Sequence, residues 1–220
     1  LVGSEMCIRD RLTMPGSELL EEMFDDALCD RLKKYVSFSK EEEFFVKDTD
    51  MILNMLKKNI SSMERIKILN ELSKVCDVTL YTQSSGCDMR SVRVRGYIDY
   101  ERDMPVMFAN SAINLNVTLR NIRTGIPLRV LDIMACGGFV LTNMQPELME
   151  YFIPGEDVAV YEDMKDMIAK VQFYLEHEEL RKRIAHNGYL KVCEMFRFDD
   201  RIKSVSYTHL RAHETRSNIV

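Results

Sequence analysis

The feature that most constrains the fold is an alternation of strand-like and helix-like segments that begins at Val78 and ends near Phe196. Short runs of β-branched and aromatic residues alternate with stretches whose apolar residues recur at helical spacing. The connections between strands are too long for hairpins, which favours parallel strands joined by right-handed crossovers. The pattern predicts an α/β fold class with a Rossmann-like, doubly wound parallel sheet. Predicted strands cover 78–82, 92–95, 113–117, 138–142 and 158–161, and predicted helices cover 104–110, 127–135, 146–152, 162–175 and 178–196.

The sequence ahead of this alternation is helical throughout. Ser17 fits the N-cap position of a first helix, and further helices are predicted over 40–56 and 63–75. No strand pattern interrupts these residues. We therefore predict a helical connector over 12–75 that leads into a sheet domain over 76–204.

The two ends of the sequence can be encoded by opposite strands of one DNA segment. If Val205–Glu214 is written in the codons GTC TCT TAT ACA CAT CTC CGA GCC CAC GAG, the opposite DNA strand translates as LVGSEMCIRD, which is Leu1–Asp10. Opposite strands of one oligonucleotide at both ends are typical of a sequencing adapter that was read through in a metagenomic fragment, and both peptides resemble translated adapters. We interpret 1–11 and 205–220 as adapter-derived residues and leave them out of fold reasoning.

Composition argues against several function classes. Lys and Arg number 30 against 35 Asp and Glu, a formal net charge of −5, with no Trp and no long basic run, which disfavours a nucleic-acid partner. No apolar run approaches the ~20 residues of a membrane-spanning helix. The cysteines outside the adapter-derived ends are scattered without a C-x-x-C pair, as is typical of reduced thiols in a cytoplasmic protein. With His209 and His213 set aside, we expect no metal site and no cofactor.

One polar segment between two predicted strands concentrates the candidate binding residues. It runs from Ile113 to Asn143 as a strand, an arginine-containing loop, a helix that starts at Pro127, a Gly-Gly pair and a second strand. Backbone N–H groups at a helix N-terminus form an anion site, and arginine adds a forked donor that matches phosphate. Arg129 lies in the first helical turn, where the helix dipole disfavours a cation. A nearby diphosphate would offset this cost.

Asp132 lies on the same helical face as Arg129. A carboxylate in a nucleotide pocket accepts hydrogen bonds from both ribose hydroxyls, although an Arg129–Asp132 surface ion pair of little energetic value explains the spacing equally well. Gly137 and Gly138 also have two interpretations, a left-handed helix end or a backbone that a ligand approaches closely. Glu147, at a helix start, is either a surface acid favoured by the helix dipole or an acceptor for a sugar hydroxyl.

The segment from Ile113 to Leu148 resembles the donor-site signature of GT-B retaining glycosyltransferases, most closely the spore maturation protein CgeB-like group. The shared features are I-N-L-N, G-I-P-L-R, an aspartate, C-G-G-F, T-N and P-E-L, in this order. The resemblance covers about 63–201. Residues outside the segment that also fit the pattern are Glu64, Arg65, Leu80, Tyr81, Gly96, Tyr97, Tyr100, the 174–177 run and Arg201.

The resemblance implies the C-terminal, nucleotide-sugar-binding half of a two-domain GT-B glycosyltransferase. Such an enzyme transfers a sugar from a nucleotide diphosphate-sugar to a glycan, protein or lipid acceptor without a metal, because basic side chains and a helix N-terminus neutralise the leaving diphosphate. It assigns Arg129 to phosphate and Asp132 to ribose. With most of the acceptor-binding domain missing, we expect the fragment alone to be inactive. The predicted donor-site residues are Asn116, Arg123, Thr124, Gly125, Arg129, Asp132, Gly137, Gly138, Thr142, Asn143 and Glu147.

Besides Asp132, which matches the second of two glutamates of the wider retaining group only with a shorter carboxylate, two positions depart from the family pattern. Thr124 stands where the wider retaining group carries a glutamate, and Ala112 stands where CgeB-like sequences carry a lysine before I-N-L-N. These departures favour a second hypothesis, an inactive sugar-nucleotide-binding or structural protein of a spore coat or other surface. A third hypothesis is a sugar epimerase on a related scaffold. A response-regulator-like signalling domain is less favoured because no cluster of acidic residues follows the strands.

Overall fold

The structure is a computed structural model that describes residues 24–34, 48–83, 89, 91–118 and 125–196. Two helices begin this described part of the chain. They are α1 (Asp26–Lys33) and α2 (Asp48–Leu72). The remaining elements, in chain order, are β1 (Thr79–Tyr81), β2 (Arg93–Arg95), α3 (Met104–Asn110), β3 (Asn114–Asn116), α4 (Leu128–Ala135), β4 (Val140–Asn143), α5 (Pro146–Tyr151), β5 (Ala159–Tyr161), α6 (Met164–Glu176) and α7 (Glu178–Met195).

The helical segment differs in detail from its prediction. Asp25 caps α1, because its carboxylate accepts a hydrogen bond from the Leu28 amide at 2.7 Å, whereas Ser17 lies outside the described residues. The predicted helices 40–56 and 63–75 are wrong as separate elements, since α2 runs through the gap between them. The Ser61 hydroxyl donates to Lys57 O one turn back, which lets a serine sit inside a helix. Within the described ranges, no helix combines the length and apolar character that crossing a bilayer requires.

The strands pair in parallel, as the crossover pattern predicted. Among the described residues, β3, β4 and β5 form a three-stranded sheet in sequential order, and β1 pairs with β2 in a separate two-stranded ladder. Leu141 of β4 is opposite Leu115 of β3 on one side and Ala159 of β5 on the other. The carboxyl ends of the three central strands therefore lie at one edge of the sheet, which we call the carboxyl edge, and their starts lie at the opposite amino edge.

Each face of the central sheet has its own apolar core, because successive strand residues point to opposite sides. Leu141, Ala159 and Tyr161 pack with residues of α2, α6 and α7. Val140 and Val160 pack on the other face with residues of α3, α4, α5 and α7. Helices therefore cover both faces, and the predicted doubly wound α/β fold, preceded by a helical segment, is confirmed. The predicted domain boundary between 75 and 76 stays a prediction.

Helix α4 ends in a two-glycine turn. Gly137 has a φ of 71°, and its N–H donates to Met134 O while the Gly138 N–H donates to Ile133 O, both at 2.9 Å. These two bonds form a Schellman motif, which satisfies the last helical carbonyls and needs a left-handed residue that glycine adopts without strain. Of the two interpretations of the glycine pair, the helix end is the one that matches the observed backbone.

Gly138 also allows a close junction of α3, β3 and β4. A Cβ on this residue would lie 2.6 Å from Phe108 O and 2.9 Å from Asn114 Nδ2. The buried Asn114 amide donates to Phe108 O at 2.9 Å and to Phe139 O at 3.1 Å. Both amide hydrogens are thus used, and a side chain at position 138 would push these partners apart.

Helix α7 is fastened to the loop between α5 and β5. Lys191 Nζ lies 2.6 Å from Asp157 Oδ2, and Asn187 Nδ2 donates to Glu156 O at 3.0 Å. Gly188 makes this approach possible, because a Cβ there would lie 2.6 Å from Asp157 O and 3.3 Å from the Met134 side chain.

We predict that Gly188→Ala destabilises the protein although alanine favours helices by about 1 kcal/mol over glycine. The new methyl group meets a backbone carbonyl, and overpacking of this kind costs about 1–3 kcal/mol. The expected net loss is the difference between these two terms, up to about 2 kcal/mol in the free energy of unfolding, measured by urea denaturation. Gly96→Ala is the matched control, because a methyl group added there would meet no atom within 4 Å. Equal free energies of unfolding for Gly188→Ala and the wild type would show that the loop around Asp157 moves to accommodate the methyl group.

Candidate functional site

The carboxyl edge carries a network of polar groups that links its strands. Asn116 Nδ2 donates to Thr142 Oγ1 at 2.9 Å and to Thr118 Oγ1 at 3.2 Å. The Thr118 N–H donates to Asn143 Oδ1 at 2.8 Å, and the Tyr161 hydroxyl donates to Asn116 O at 3.2 Å. Three predicted site residues, Asn116, Thr142 and Asn143, are therefore brought together, at the edge where open parallel sheets bind ligands.

Arg65 of α2 reaches this same edge. Its guanidinium donates to Val117 O at 2.8 Å across a sequence separation of 52 residues. Burial lowers the pKa of Arg65, and the nearby Tyr161 raises it to a smaller extent. The family resemblance included Arg65 in its pattern but gave it no role, and no local spacing could reveal its contact with the end of β3.

Arg129 and Asp132 share one face of α4, as predicted, but they do not form an ion pair with each other. The Tyr100 hydroxyl donates to Asp132 Oδ2 at 2.7 Å. The guanidinium carbon of Arg129 lies 5.6 Å from the centroid of the Tyr100 ring and 5.4 Å from that of Phe108, and its Nη1 lies 2.6 Å from Met104 Sδ. The hydrogen bond to Asp132, ahead of burial and charge, raises the pKa of Tyr100.

The beginning of α4 lacks a side-chain cap. Pro127 occupies the N-cap position, and no side chain there accepts a hydrogen bond from the first turn. Gly125, with a φ of 94°, turns the backbone just before it. Because α4 connects β3 to β4, its N-terminus lies at the carboxyl edge, where its first N–H groups can bind an anion.

Glu147 lies in the first turn of α5, directly after β4. Its Oε2 is buried and has no hydrogen-bond partner, a state that no other buried side-chain nitrogen or oxygen of the described residues shares. A buried acceptor without a partner costs about 1–3 kcal/mol, and more when charged. The residue is therefore not an ordinary surface acid, and a hydrogen-bond donor brought against this oxygen would satisfy it.

The remaining predicted residues lie elsewhere. Gly137 and Gly138 end α4 and precede β4, which puts them at the amino edge, about 12 Å along the helix from its N-terminus at ~1.5 Å per residue. They are not brought together with the carboxyl-edge residues. Arg123 and Thr124 lie outside the described residues.

The departure at Ala112 also lies at the amino edge. Ala112 is exposed and precedes β3, which puts it roughly 13 Å from the end of that strand at about 3.3 Å per residue. A lysine there would start from the opposite side of the sheet. Its absence therefore removes no cation from the carboxyl edge.

A cleft of about 620 Å³ opens at the amino edge, lined in part by Cys136, Arg181, Lys182 and His186. Its cations already have partners, because Arg181 donates to the carbonyls that end α6 and Lys182 pairs with Glu178 at 2.8 Å. The geometry of a parallel sheet instead favours the carboxyl edge for ligands. The described part of the chain contains no group of three or more His, Cys, Asp or Glu side chains placed to hold a metal ion.

Comparison with known proteins identifies related chains. A family model described as glycosyl transferase-like matches residues 65–206, more than half of the chain. The chain is similar to the C-terminal domain of a glycosyl transferase group 1 family protein (LpcC) from Francisella tularensis, with 21% identity and a TM-score of 0.42 over 51% of this chain and 57% of that one. It is also similar to sucrose-phosphate synthase from Thermosynechococcus elongatus, with 17% identity and a TM-score of 0.56 over 68% of this chain and 42% of that one.

No curated protein matches the chain. The likeness to sucrose-phosphate synthase shows the fold alone. This chain spans about half the length of the two solved structures it resembles.

We predict that Tyr161→Phe lowers the free energy of unfolding at neutral pH. The same substitution should make this free energy fall less steeply as the pH rises above about 10. Loss of the hydroxyl bond to Asn116 O costs about 1 kcal/mol. Burial raises the pKa of Tyr161 above its ordinary 10.0, so above pH 10 the folded state binds more protons than the unfolded state and wild-type stability falls as pH rises. The free energy of unfolding of the wild type should therefore exceed that of the variant by a constant amount below about pH 10, and this difference should shrink above that pH.

Urea denaturation from about pH 8 to about pH 11 measures this difference. Tyr97→Phe is the control, because it removes a hydroxyl group from a ring that is 70% exposed. A constant difference between wild type and Tyr161→Phe across the range would contradict the assignment of Tyr161 as a buried, neutral hydroxyl in the folded state.

Proposed function

Because this chain belongs to the glycosyl transferase-like family, we propose that its sheet domain is the donor-binding half of a metal-independent GT-B glycosyltransferase of the CgeB-like type. The donor is a nucleotide diphosphate-sugar, and the acceptor is a glycan, a protein or a lipid. The N-terminus of α4 at the carboxyl edge, where the N-cap residue Pro127 provides no side-chain cap, is the observation that carries the proposal. It offers backbone N–H groups to a diphosphate at the place where strand-end polar groups converge.

The proposed roles follow the positions of the side chains. Asp132 accepts hydrogen bonds from the ribose, and Arg129, one turn earlier on α4, faces the phosphates. The strand-end residues Thr142 and Asn143, together with Glu147, line the sugar end of the site. Asn116 fixes Thr142 and the turn after β3 through its two donated hydrogen bonds.

The leaving diphosphate then needs no metal ion. As the bond between the sugar and the diphosphate breaks, negative charge grows on the diphosphate oxygens, and the α4 N–H groups stabilise it. Arg129 adds a fixed positive charge in a half-buried position, where charge interactions are stronger than in water. Transfer to an acceptor is a property of the whole protein, and the scattered free cysteines support a cytoplasmic setting for it.

Calorimetric titration of the full chain with uridine and guanosine diphosphates tests the proposal. Arg129→Ala and Asp132→Ala should each weaken binding by about 10- to 100-fold, because each removes a hydrogen bond to or from a charged group worth about 1.5–3 kcal/mol. Lys182→Ala and Glu178→Ala are the matched controls, since they make the same charge changes at the amino edge. Failure of the intact chain to bind any nucleoside diphosphate would overturn the donor-site proposal.

Glu147→Gln separates the sugar end of the site from the nucleotide end. We expect this variant to bind the nucleotide diphosphate as the wild type does and the matching nucleotide-sugar about 10-fold more weakly, because an amide replaces the buried acceptor oxygen. Glu150→Gln is a control on the same helix with an exposed side chain. An equal loss for both ligands would place Glu147 in the scaffold instead of the sugar pocket.

A further inference from the structure

We propose that Tyr100 is a positioning residue that makes the site select ribonucleotide donors over 2′-deoxyribonucleotide donors. This inference rests on the proposed function and goes beyond it, because Tyr100 touches no predicted donor group itself. It acts through Asp132, the residue assigned to the ribose. The observation behind it is that one side chain contacts both charged residues of α4, the carboxylate through its hydroxyl and the guanidinium through its ring.

The hydroxyl contact orients Asp132. An ionised carboxylate offers about four lone-pair positions on two oxygens, and the 2.7 Å bond from Tyr100 uses one of them on Oδ2. The other positions can still accept the 2′- and 3′-hydroxyls of a ribose. Fixing one oxygen sets the plane of the carboxylate before the ligand arrives, and preorganisation of this kind lowers the entropic cost of binding.

The ring contact keeps Arg129 and Asp132 apart. Opposite charges three residues apart on a helix ordinarily attract each other, and an Arg129–Asp132 pair would occupy both groups that the donor needs. In the structure the guanidinium lies over the Tyr100 and Phe108 rings instead. Tyr100 therefore leaves the carboxylate for the ribose and the guanidinium for the phosphates.

Position 100 can be varied without disturbing the fold. Tyr100 is 52% exposed, so its removal leaves the apolar cores of the domain intact. Two variants divide its functions. Tyr100→Phe removes the bond to Asp132 and keeps the ring beneath Arg129, whereas Tyr100→Leu removes both contacts.

The test is titration of the full chain with uridine diphosphate and 2′-deoxyuridine diphosphate, with the guanosine pair in parallel. We expect the wild type to prefer the ribonucleotide by about 10-fold or more, as one hydrogen bond to a charged group allows. Tyr100→Phe should lose most of this preference through weaker ribonucleotide binding, with 2′-deoxyribonucleotide affinity unchanged. Tyr100→Leu should in addition weaken both ligands, because Arg129 is then free to pair with Asp132.

Two controls test whether the effect is specific to Tyr100 and acts through Asp132. Tyr97→Phe, a change of the same kind at an exposed ring, should leave the preference intact. In the Asp132→Ala background, Tyr100→Phe should have no further effect, as a double-mutant cycle requires of residues that act through each other. If Tyr100 had only a structural role, Tyr100→Phe would weaken the binding of both nucleotides equally.

The failures are distinguishable. If the wild type binds nucleoside diphosphates, Asp132→Ala weakens them and Tyr100→Phe keeps the full ribonucleotide preference, the role of Tyr100 is overturned and the donor site stands. If the wild type binds none of these nucleotides, the proposed function and the role of Tyr100 fall together.

Discussion

The contact between Asn114 and Gly138 is the packing constraint on which the candidate site depends. The buried Asn114 amide donates both of its hydrogens to carbonyls, one in α3 and one just before β4. Gly138 has no side chain to hold these elements apart. Helices α3 and α4 consequently pack side by side, and that packing brings Tyr100, just ahead of α3, onto Asp132 of α4. The arrangement of the charged residues is thus a consequence of a glycine about one helix length away.

The two edges of the sheet differ in how completely their polar groups are satisfied. At the amino edge, the turn after α4 bonds its last carbonyls, and the nearby cations have anionic or carbonyl partners. At the carboxyl edge, the first turn of α4 has no side-chain cap and Glu147 holds a buried oxygen without a partner. Folded proteins rarely leave buried polar groups unpaired. The buried Glu147 oxygen without a partner is the physical reason to look for the ligand at the carboxyl edge, although a cleft of about 620 Å³ opens at the other edge.

Local patterns predicted the elements of the sheet domain well, because strand and helix periods are properties of neighbouring residues. The helix 104–110 matches α3, and the glycine pair ends α4 as one interpretation held. The break predicted between 56 and 63 failed for a local reason, since Ser61 bonds back to Lys57 O within the helix. The partners of Asp132 and of the β3 end could not be predicted in this way. Tyr100 lies 32 residues before Asp132, and Arg65 lies 52 residues before Val117, so only the folded chain brings them together.

The position of Arg129 illustrates how a sequence argument can reach a residue for an incomplete reason. A cation in the first turn of a helix is disfavoured by the dipole, and a diphosphate was the expected compensation. The structure supplies another one, because the guanidinium lies against the electron-rich faces of Tyr100 and Phe108, an attraction of about 0.5–2 kcal/mol. The placement of Arg129 is therefore explained without a ligand. The case for an anion depends instead on the N-terminus of α4, where the N-cap residue Pro127 provides no side-chain cap, and the aromatic contacts explain how Arg129 stays beside it.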